Sequence, residues 1–522
     1  MSLKQANNKN AEIDERLAAL MTNANAIRAI ASAVEGTLGP KGLDTMLVDK
    51  FGDVVITNDG VTILNLMEAN HPAARMLINT AKAQQDEIGD GTTTTTIMAS
   101  VLVNEGVNQV IKGVPVARVI EGIRLGTAAA TNYLEKQARP IHNIDDLLLE
   151  RVAAIAGREH LDIARLVTEA ARLIGKEKLI SRNFKLADTV AAQVGAENQV
   201  FSGVVITKGR VAREMPEQLW EPKILIVDDA LEPEEVEEEA LTTESGFNQY
   251  MLNQRQFVEN IQKLCQLGVK LVLVDRGISD LAEEILTDAG VMVIQRVSSR
   301  QLRKAAEHTG ARPIKRTGLK KPGNELIKYL GTAQEAVEDE RLEQTFIYAG
   351  GGKPMASILV GAQTEEVVGE RERIAKDAAA AVQASFKGGL VPGGGAVELA
   401  ASIAVESVRR DTKGMAAYGV DCVVEALRKP FVQIVSNSGY NALEKLGDVL
   451  AAQSESGSDA LAMDCDTGQI IDMWHHGVID PVLVKTHALK AASEVAQAIL
   501  RIDTIIKKKD SIGENEEDIA KM

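Results

Sequence analysis

Apolar residues recur at three-and-four spacing from residue 11 to about 141, with abundant alanine among them, so the first part of the chain predicts helices. One stretch breaks the pattern. Between Met46 and Leu64, the segments Val54-Val55-Ile56-Thr57 and Val61-Thr62-Ile63-Leu64 are β-branched strand material around Asn58-Asp59-Gly60, which predicts a hairpin inside a helical domain. From roughly 200 to 361 the texture changes: residues 224–227, 270–274 and 291–294 are short apolar runs separated by helical stretches, the pattern of a parallel or mixed α/β domain. Helical texture returns over 371–384, 396–410 and 481–508, followed by a charged tail from 507 to 522. Helical ends therefore bracket an α/β insert, and one domain is expected to be built from both ends of the chain.

Length and composition narrow this picture. At roughly 100–200 residues per domain, 522 residues suggest about three domains. A balance of 58 Lys+Arg against 74 Asp+Glu, net charge -16, argues against broad binding to nucleic acid or anionic membrane. With Trp 2, Tyr 6 and Phe 8, base-stacking platforms are not expected either. Cys265, Cys422 and Cys465 are far apart, so neither a zinc site nor a disulfide framework is predicted, and a reducing compartment fits. The polar residues 1–16 lack the apolar core of a signal peptide and no apolar run of membrane-spanning length is evident, so a cytoplasmic protein is expected.

The strongest local signal is Gly89-Asp90-Gly91 followed by Thr92 to Thr96 and a helical run. Five threonines are a poor way to begin a helix for stability, because χ1 is restricted and the hydroxyls compete for backbone bonds. They suit an anion: glycine permits close approach, amides at a helix start point at phosphate, and hydroxyls add donors. Asp90 is then a candidate for the Mg²⁺ that accompanies a nucleotide. The plainer alternative is helix capping, but a cap needs only one residue.

Two other glycine-rich turns, Thr37-Leu38-Gly39-Pro40-Lys41-Gly42 and Val391-Pro392-Gly393-Gly394-Gly395, read individually as helix boundaries, and neither a P-loop nor a dinucleotide fingerprint is present. Asp59 reads as a turn residue, Asp377 as part of a solvated helical face, and His475-His476 as a surface pair. The run from Glu232 to Glu239 reads as a solvated face. Phe247, Tyr250, Met251, Val258, Ile261 and Leu264 recur at near-helical spacing, either as a core stripe or as an exposed ridge for other proteins.

Together, Thr37 to Gly42, Gly52-Asp53-Val54 through Leu64, Gly89 to Thr94, Gly203-Val204-Val205, Met215-Pro216, Val391 to Glu398, Gly477 to Pro481 with Lys485-Thr486, and Ile499 to Asp503 resemble a chaperonin of the group II kind, the thermosome and eukaryotic cytosolic type. The motifs cover nearly the whole chain in order. The resemblance implies a multidomain α and α/β subunit. A mainly helical equatorial domain (1–141 and 397–522) and a small intermediate domain (142–209 and 361–396) would carry an α/β apical domain (210–360). Residues 242–256 would form its helical protrusion, a built-in lid that makes a separate co-chaperonin cap unnecessary.

By the same resemblance, Thr37, Leu38, Gly39, Pro40, Asn58, Gly91, Thr92, Thr93 and Thr94 would surround the ATP phosphates and Asp90 would bind Mg²⁺, with K⁺ a further candidate cofactor. Gly394 and Gly395 would approach the sugar and base, Asp480 would hydrogen-bond the ribose, and Asp59 and Asp377 would be catalytic, orienting the attacking water. The function implied is an ATPase subunit of a large double-ring homo-oligomer that encloses non-native proteins, with no nucleic-acid or membrane partner. A small-molecule phosphotransferase using the same loops is the alternative, and a non-hydrolysing scaffold is disfavoured by the three aspartates. The chain departs from the family at Gly157-Arg158, where Gly-Lys is usual, so Arg158 stands as a candidate phosphate sensor. Its threonine run, protrusion and tail also depart, marking a divergent subgroup, with a bacterial one among the options.

Overall fold

The structure is a computed structural model that describes residues 3–48, 50, 52, 54–236 and 241–504. The chain divides into two compact units, one formed by residues up to 141 together with those from 384 onward, the other by 142–383. The expectation of a helical unit built from both chain ends matches the first of these.

The first part of the helical unit contains α1 (Leu3–Val34), β1 (Thr45–Val48), β2 (Val54–Thr57), α2 (Gly60–Leu66), α3 (Pro72–Glu87), α4 (Thr92–Ile111) and α5 (Val116–Gln137). The predicted hairpin is displaced. β1 and β2 pair antiparallel, Thr45 opposite Thr57 and Val48 opposite Val54, so the turn lies before Val54 and not at Asn58-Asp59-Gly60. Residues 61–64, predicted as strand, are helical. Asp59 accepts hydrogen bonds from the backbone N–H of Val61 (3.3 Å) and Thr62 (3.0 Å), and this cap outweighs the β-preference of the four residues that follow. Residues 17–37 are long and apolar enough to cross a membrane by length and composition, contrary to the expectation that no run of that length is evident. Their apolar side chains, Leu20, Ile27 and Val34, are buried in the core of the unit, which is how a core helix meets the same criterion.

The second unit contains α6 (Leu147–Ala156), α7 (Leu161–Ile174), β3 (Val190–Val194), β4 (Gln199–Ile206), β5 (Gln218–Trp220), β6 (Lys223–Val227), α8 (Glu244–Gln266), β7 (Val269–Val274), α9 (Asp280–Asp288), β8 (Met292–Ile294), α10 (Ser299–Thr309), β9 (Gly331–Asp339), β10 (Gln344–Gly350) and β11 (Ala356–Ala362). Its sheet runs β3-β11-β4-β10-β9-β6-β7-β8, with β5 pairing on β9. The three apolar runs seen in the sequence are β6, β7 and β8. They pair parallel and are almost wholly buried, whereas β4, β10 and β9 pair antiparallel.

The stripe on α8 resolves into both of its alternatives. Phe257, Ile261 and Leu264 are core, while Phe247, Tyr250, Met251 and Leu252 are 55%, 37%, 48% and 44% exposed. The helix is therefore anchored by its second half and presents an apolar ridge on its first. Of the acidic run before it, residues 237–239 lie outside the described residues, while Glu234 pairs with Lys320 at 2.7 Å.

α11 (Glu365–Gly388) leads back to the helical unit, which is completed by β12 (Leu390–Pro392), α12 (Ala396–Asp411), α13 (Ala417–Asn437), α14 (Ala442–Ser456), β13 (Leu461–Met463), β14 (Ile470–Asp472), β15 (Ile479–Pro481) and α15 (Val482–Leu500). Its core joins the two ends of the chain: Leu102 and Val103 of α4 and Ile123 of α5 pack in one cluster with Val420 and Val423 of α13 and Leu489 and Ile499 of α15. His475 and His476 lie in a turn as an exposed edge-to-face pair, and the three cysteines are free thiols.

Candidate nucleotide site

The candidate site begins at the start of α4. Gly89 and Gly91 have φ of 85° and 82°, a left-handed conformation that favours glycine, and a Cβ on Gly91 would lie 2.6 Å from Val484. The first intrahelical bond runs from the N–H of Thr95 to the Gly91 carbonyl at 3.0 Å, so the N–H groups of Thr92, Thr93 and Thr94 precede the helical ladder. The five threonines divide by role. Thr95 and Thr96 donate their hydroxyls to the carbonyls of Gly91 and Thr92, both at 2.9 Å, whereas the hydroxyls of Thr92, Thr93 and Thr94 have no partner among the described residues. Three amides and three hydroxyls at one helix start are the kind of donor set that suits an anion.

Beside it, the carboxylate of Asp90 accepts the Gly91 N–H at 2.5 Å. Burial, and after it the neighbouring charge of Asp480, push the Asp90 carboxyl up to about 6; Asp59 adds to this, while Gly91 and Lys485 oppose it. The Asp90 backbone is held by Gln84, fully buried on α3. Its Nε2 donates to the Asp90 carbonyl at 2.7 Å while its Oε1 meets His487 Nδ1 at 2.6 Å. Asp59 joins the cluster because α2 starts against α4: a Cβ on Gly60 would sit 2.4 Å from Thr93 Oγ1. Its carboxylate caps α2 and accepts the Thr62 hydroxyl at 2.5 Å, so Asp59 is a helix cap as well as a charge facing Asp90.

Asp480 sits on β15, opposite Val391 of β12, next to the left-handed Gly394 and Gly395 that open α12. Lys485 Nζ lies 2.8 Å from Asp480 and 2.6 Å from Glu398, which is 1% exposed. Burial works to lower the Lys485 pKa, but Asp480 and Glu398 override it and raise it well above the usual range. The loop from Thr37 to Pro40 follows a turn packed on α4 and is fixed by Asn437, whose Nδ2 donates to the carbonyls of Glu35 (2.9 Å) and Leu38 (2.8 Å). Gly39, at φ 87°, approaches Ile434 so closely that a Cβ would sit 3.0 Å away.

Asp59, Asp90, the α4 start, Gly394, Gly395 and Asp480 thus come together in the helical unit, with the Thr37–Pro40 loop docked on the same framework. Asp377, on α11, and Arg158 lie in the other unit. Arg158 has a positive φ of 53° and its guanidinium pairs with Glu370. Asp377 is half-buried and has a partner, unlike a freely solvated face residue. Gln84, Asn437, Glu398 and Lys485 were not singled out as site residues in the sequence. Of these, Lys485 and Glu398 carried a signal only as members of the motifs Lys485-Thr486 and Val391 to Glu398.

Four carboxylates, Asp59, Asp90, Asp480 and Glu398, with one lysine leave negative charge that a cation would offset. Among the described residues no three His, Cys, Asp or Glu side chains form a ready-made metal cage. That donor set fits a hard divalent cation such as Mg²⁺, which commonly uses one or two carboxylates together with substrate phosphates.

Comparison with known proteins agrees over most of the chain. The sequence profile of the TCP-1/cpn60 chaperonin family matches residues 30–510. A thermosome subunit of Pyrococcus horikoshii is 35% identical over 93% of this chain and 90% of its own length. The thermosome subunit alpha of Thermoplasma acidophilum is 33% identical over 94% and 91%. A crystal structure of a group III chaperonin in the open state superposes with a TM-score of 0.84 at 50% identity, covering 95% of this chain and 100% of that one.

Proposed function

The chain belongs to the TCP-1/cpn60 chaperonin family, and on that premise we propose that the acidic cradle of the helical unit is its ATP site. The protein is an ATP-dependent chaperonin subunit, an ATPase that couples hydrolysis to protein folding, and the small-molecule phosphotransferase reading is not supported. The observation that carries the site assignment is the part-buried Asp90, its carboxyl pushed up by desolvation and by Asp480, beside a helix start with three threonine hydroxyls unpartnered among the described residues.

In this reading Thr92, Thr93 and Thr94, with Gly91, Asn58 and the Thr37–Pro40 loop (Thr37, Leu38, Gly39, Pro40), hold the phosphates; Gly394, Gly395 and Asp480 hold the sugar and base. Asp90 would hold Mg²⁺, which supplies charge neutralisation at the phosphates; K⁺ rests on the family resemblance alone. Asp59 orients the attacking water and Asp377 accepts its proton. Asp377 belongs to the other unit, so this chemistry requires a state in which α11 delivers the carboxylate, and hydrolysis is then coupled to closure. Arg158, released from Glu370, is the candidate sensor of the terminal phosphate. Residues 142–209 with those after 361 act as the intermediate segment, 210–360 as the apical domain, and the first half of α8 as client contact and built-in lid, without a separate cap. A cytoplasmic setting and non-native protein clients complete the reading.

Assembly into a double ring is supported by the β1–β2 ribbon, a two-stranded sheet whose Met46, Val48, Val54 and Ile56 are 61%, 61%, 53% and 53% exposed, with open edges suited to a second copy. Two rings of eight 56.0 kDa chains would weigh about 0.9 MDa. Light scattering on the purified protein, paired with Mg²⁺-dependent phosphate release during refolding of a denatured client, tests the proposal; a stable monomer or dimer at micromolar concentration would sink the ring.

A further inference from the structure

Lys485 is placed where a lysine is least expected. It stands in the first turn of α15, where the helix dipole disfavours a cation, and its side chain is only 11% exposed. Its ammonium bridges Asp480 Oδ2 at 2.8 Å and Glu398 Oε1 at 2.6 Å, joining the starts of α12 and α15 to β15. Stability does not account for the triad, since exchanging buried ion pairs for apolar residues of similar volume is often neutral or favourable. What the triad does is fix one carboxylate oxygen. Asp480 is the exposed member, at 24%, and its Oδ1 has no partner among the described residues. The neighbouring backbone approaches closely here: a Cβ on Gly393 would come within 3.1 Å of Oδ2, a tight contact against a carboxylate already held in place.

We propose that Lys485, anchored by Glu398, is the positioning residue for sugar recognition: it holds Asp480 Oδ2 so that Oδ1 is presented to a hydroxyl of the ATP ribose. The inference rests on reading Asp480 as the ribose contact. Without the clamp, the Asp480 carboxylate rotates freely and pays for its orientation each time the nucleotide binds, so the affinity gained from that one hydroxyl is lost.

The test compares steady-state ATPase kinetics of the full-length assembled protein with ATP, 2′-deoxy-ATP and 3′-deoxy-ATP. The parent should show a KM about tenfold lower for ATP than for the analogue lacking the contacted hydroxyl. Lys485→Met alone leaves Glu398 buried and unpaired, so the informative variant is Lys485→Met with Glu398→Gln, which removes the cation and its anchoring charge together. In that variant the KM for ATP should rise to the level of the deoxy analogue, the KM for the analogue should stay within about twofold, and kcat should fall much less than KM rises. A merely loosened site would raise both KM values alike. If the assembled double variant keeps the parent's preference, or loses affinity for all three nucleotides equally, Lys485 does not position Asp480 and the inference falls. Asp480→Asn separates the two layers. Loss of the preference in Asp480→Asn but not in the double variant overturns only the role of Lys485. A preference that is absent in the parent, or survives Asp480→Asn, overturns the ribose reading and the inference with it.

Discussion

In the helical unit, the residues that stability leaves unexplained are charges withdrawn from water: the part-buried Asp90 with the buried Glu398 and Lys485, gathered around the start of α4 and the end of β15. In the sheet-bearing unit they are exposed hydrophobics: Phe247, Tyr250 and Met251, on a helix whose other half is ordinary core. Each is the reverse of what folding favours, since burial penalises charge and water penalises exposed apolar surface. The two departures suit different partners. A small anion with its cation can enter a cradle and neutralise it, whereas an unfolded chain needs a broad apolar surface already facing outward.

The sharpest way to break this division is at the chemistry. Asp377→Ala should lower ATP turnover about 10²–10⁴-fold while leaving nucleotide affinity near that of the parent, whereas Asp90→Ala should weaken Mg²⁺-ATP binding as well as turnover. Calorimetric titration beside steady-state phosphate release separates the two, and near-parental turnover in Asp377→Ala would refute its catalytic role. Next, replacing Phe247, Tyr250 and Met251 together by Ser should abolish capture of a denatured client, read by suppression of its aggregation, while basal ATPase changes by less than about twofold. A parallel loss of ATPase would show that the ridge serves the cradle and not a client.

The charge on Asp90 can itself be weighed by pH. The folded chain raises the Asp90 carboxyl from 3.8 to about 6, so it holds that proton more tightly than the unfolded chain does. The stability this contributes is complete below about pH 4 and is lost as pH rises to about 6; at 1.36 kcal/mol per pH unit it amounts to about 3 kcal/mol. Asp90→Asn carries no such charge. In chelator and without nucleotide, its stability relative to the parent should grow by about 3 kcal/mol between pH 4 and pH 7, and Mg²⁺-ATP should narrow the gap by stabilising the parent. Denaturant melts across that range check it, and a gap that stays flat would mean the charge is not penalised. Smallest is Gly60→Ala. Its Cβ would press on Thr93 Oγ1 and should cost about 1–3 kcal/mol of thermal stability, with a raised KM for ATP.

Much of the architecture was legible because its signals are local. The strands β6, β7 and β8 are compact apolar runs, and Gly89-Asp90-Gly91 before a threonine run marks the start of α4 in a window of a few residues. Asn58-Asp59-Gly60 misled because the same tripeptide serves a hairpin turn and a helix cap, and only the N–H bonds accepted by Asp59 decide between them. The supporting residues were not legible for a different reason. Gln84 reaches Val484 and His487, Asn437 reaches Glu35 and Leu38, and Lys485 reaches Glu398, contacts that no periodicity encodes. The α8 stripe was ambiguous because one period of side chains continues across a change from core to water.

The split of the helical unit across the two chain ends bears on how the protein is made. All strand pairings of the large sheet lie within residues 142–383, so that unit can finish folding as soon as its contiguous segment has left the ribosome. The helices made first cannot. α4 and α5 bury their apolar faces against α13 and α15, and both of these follow the whole sheet-bearing unit in the chain. For most of its own synthesis the chain carries an open, unfinished hydrophobic surface. It therefore passes through the kind of state that aggregates or is rescued, before it can take part in rescuing others.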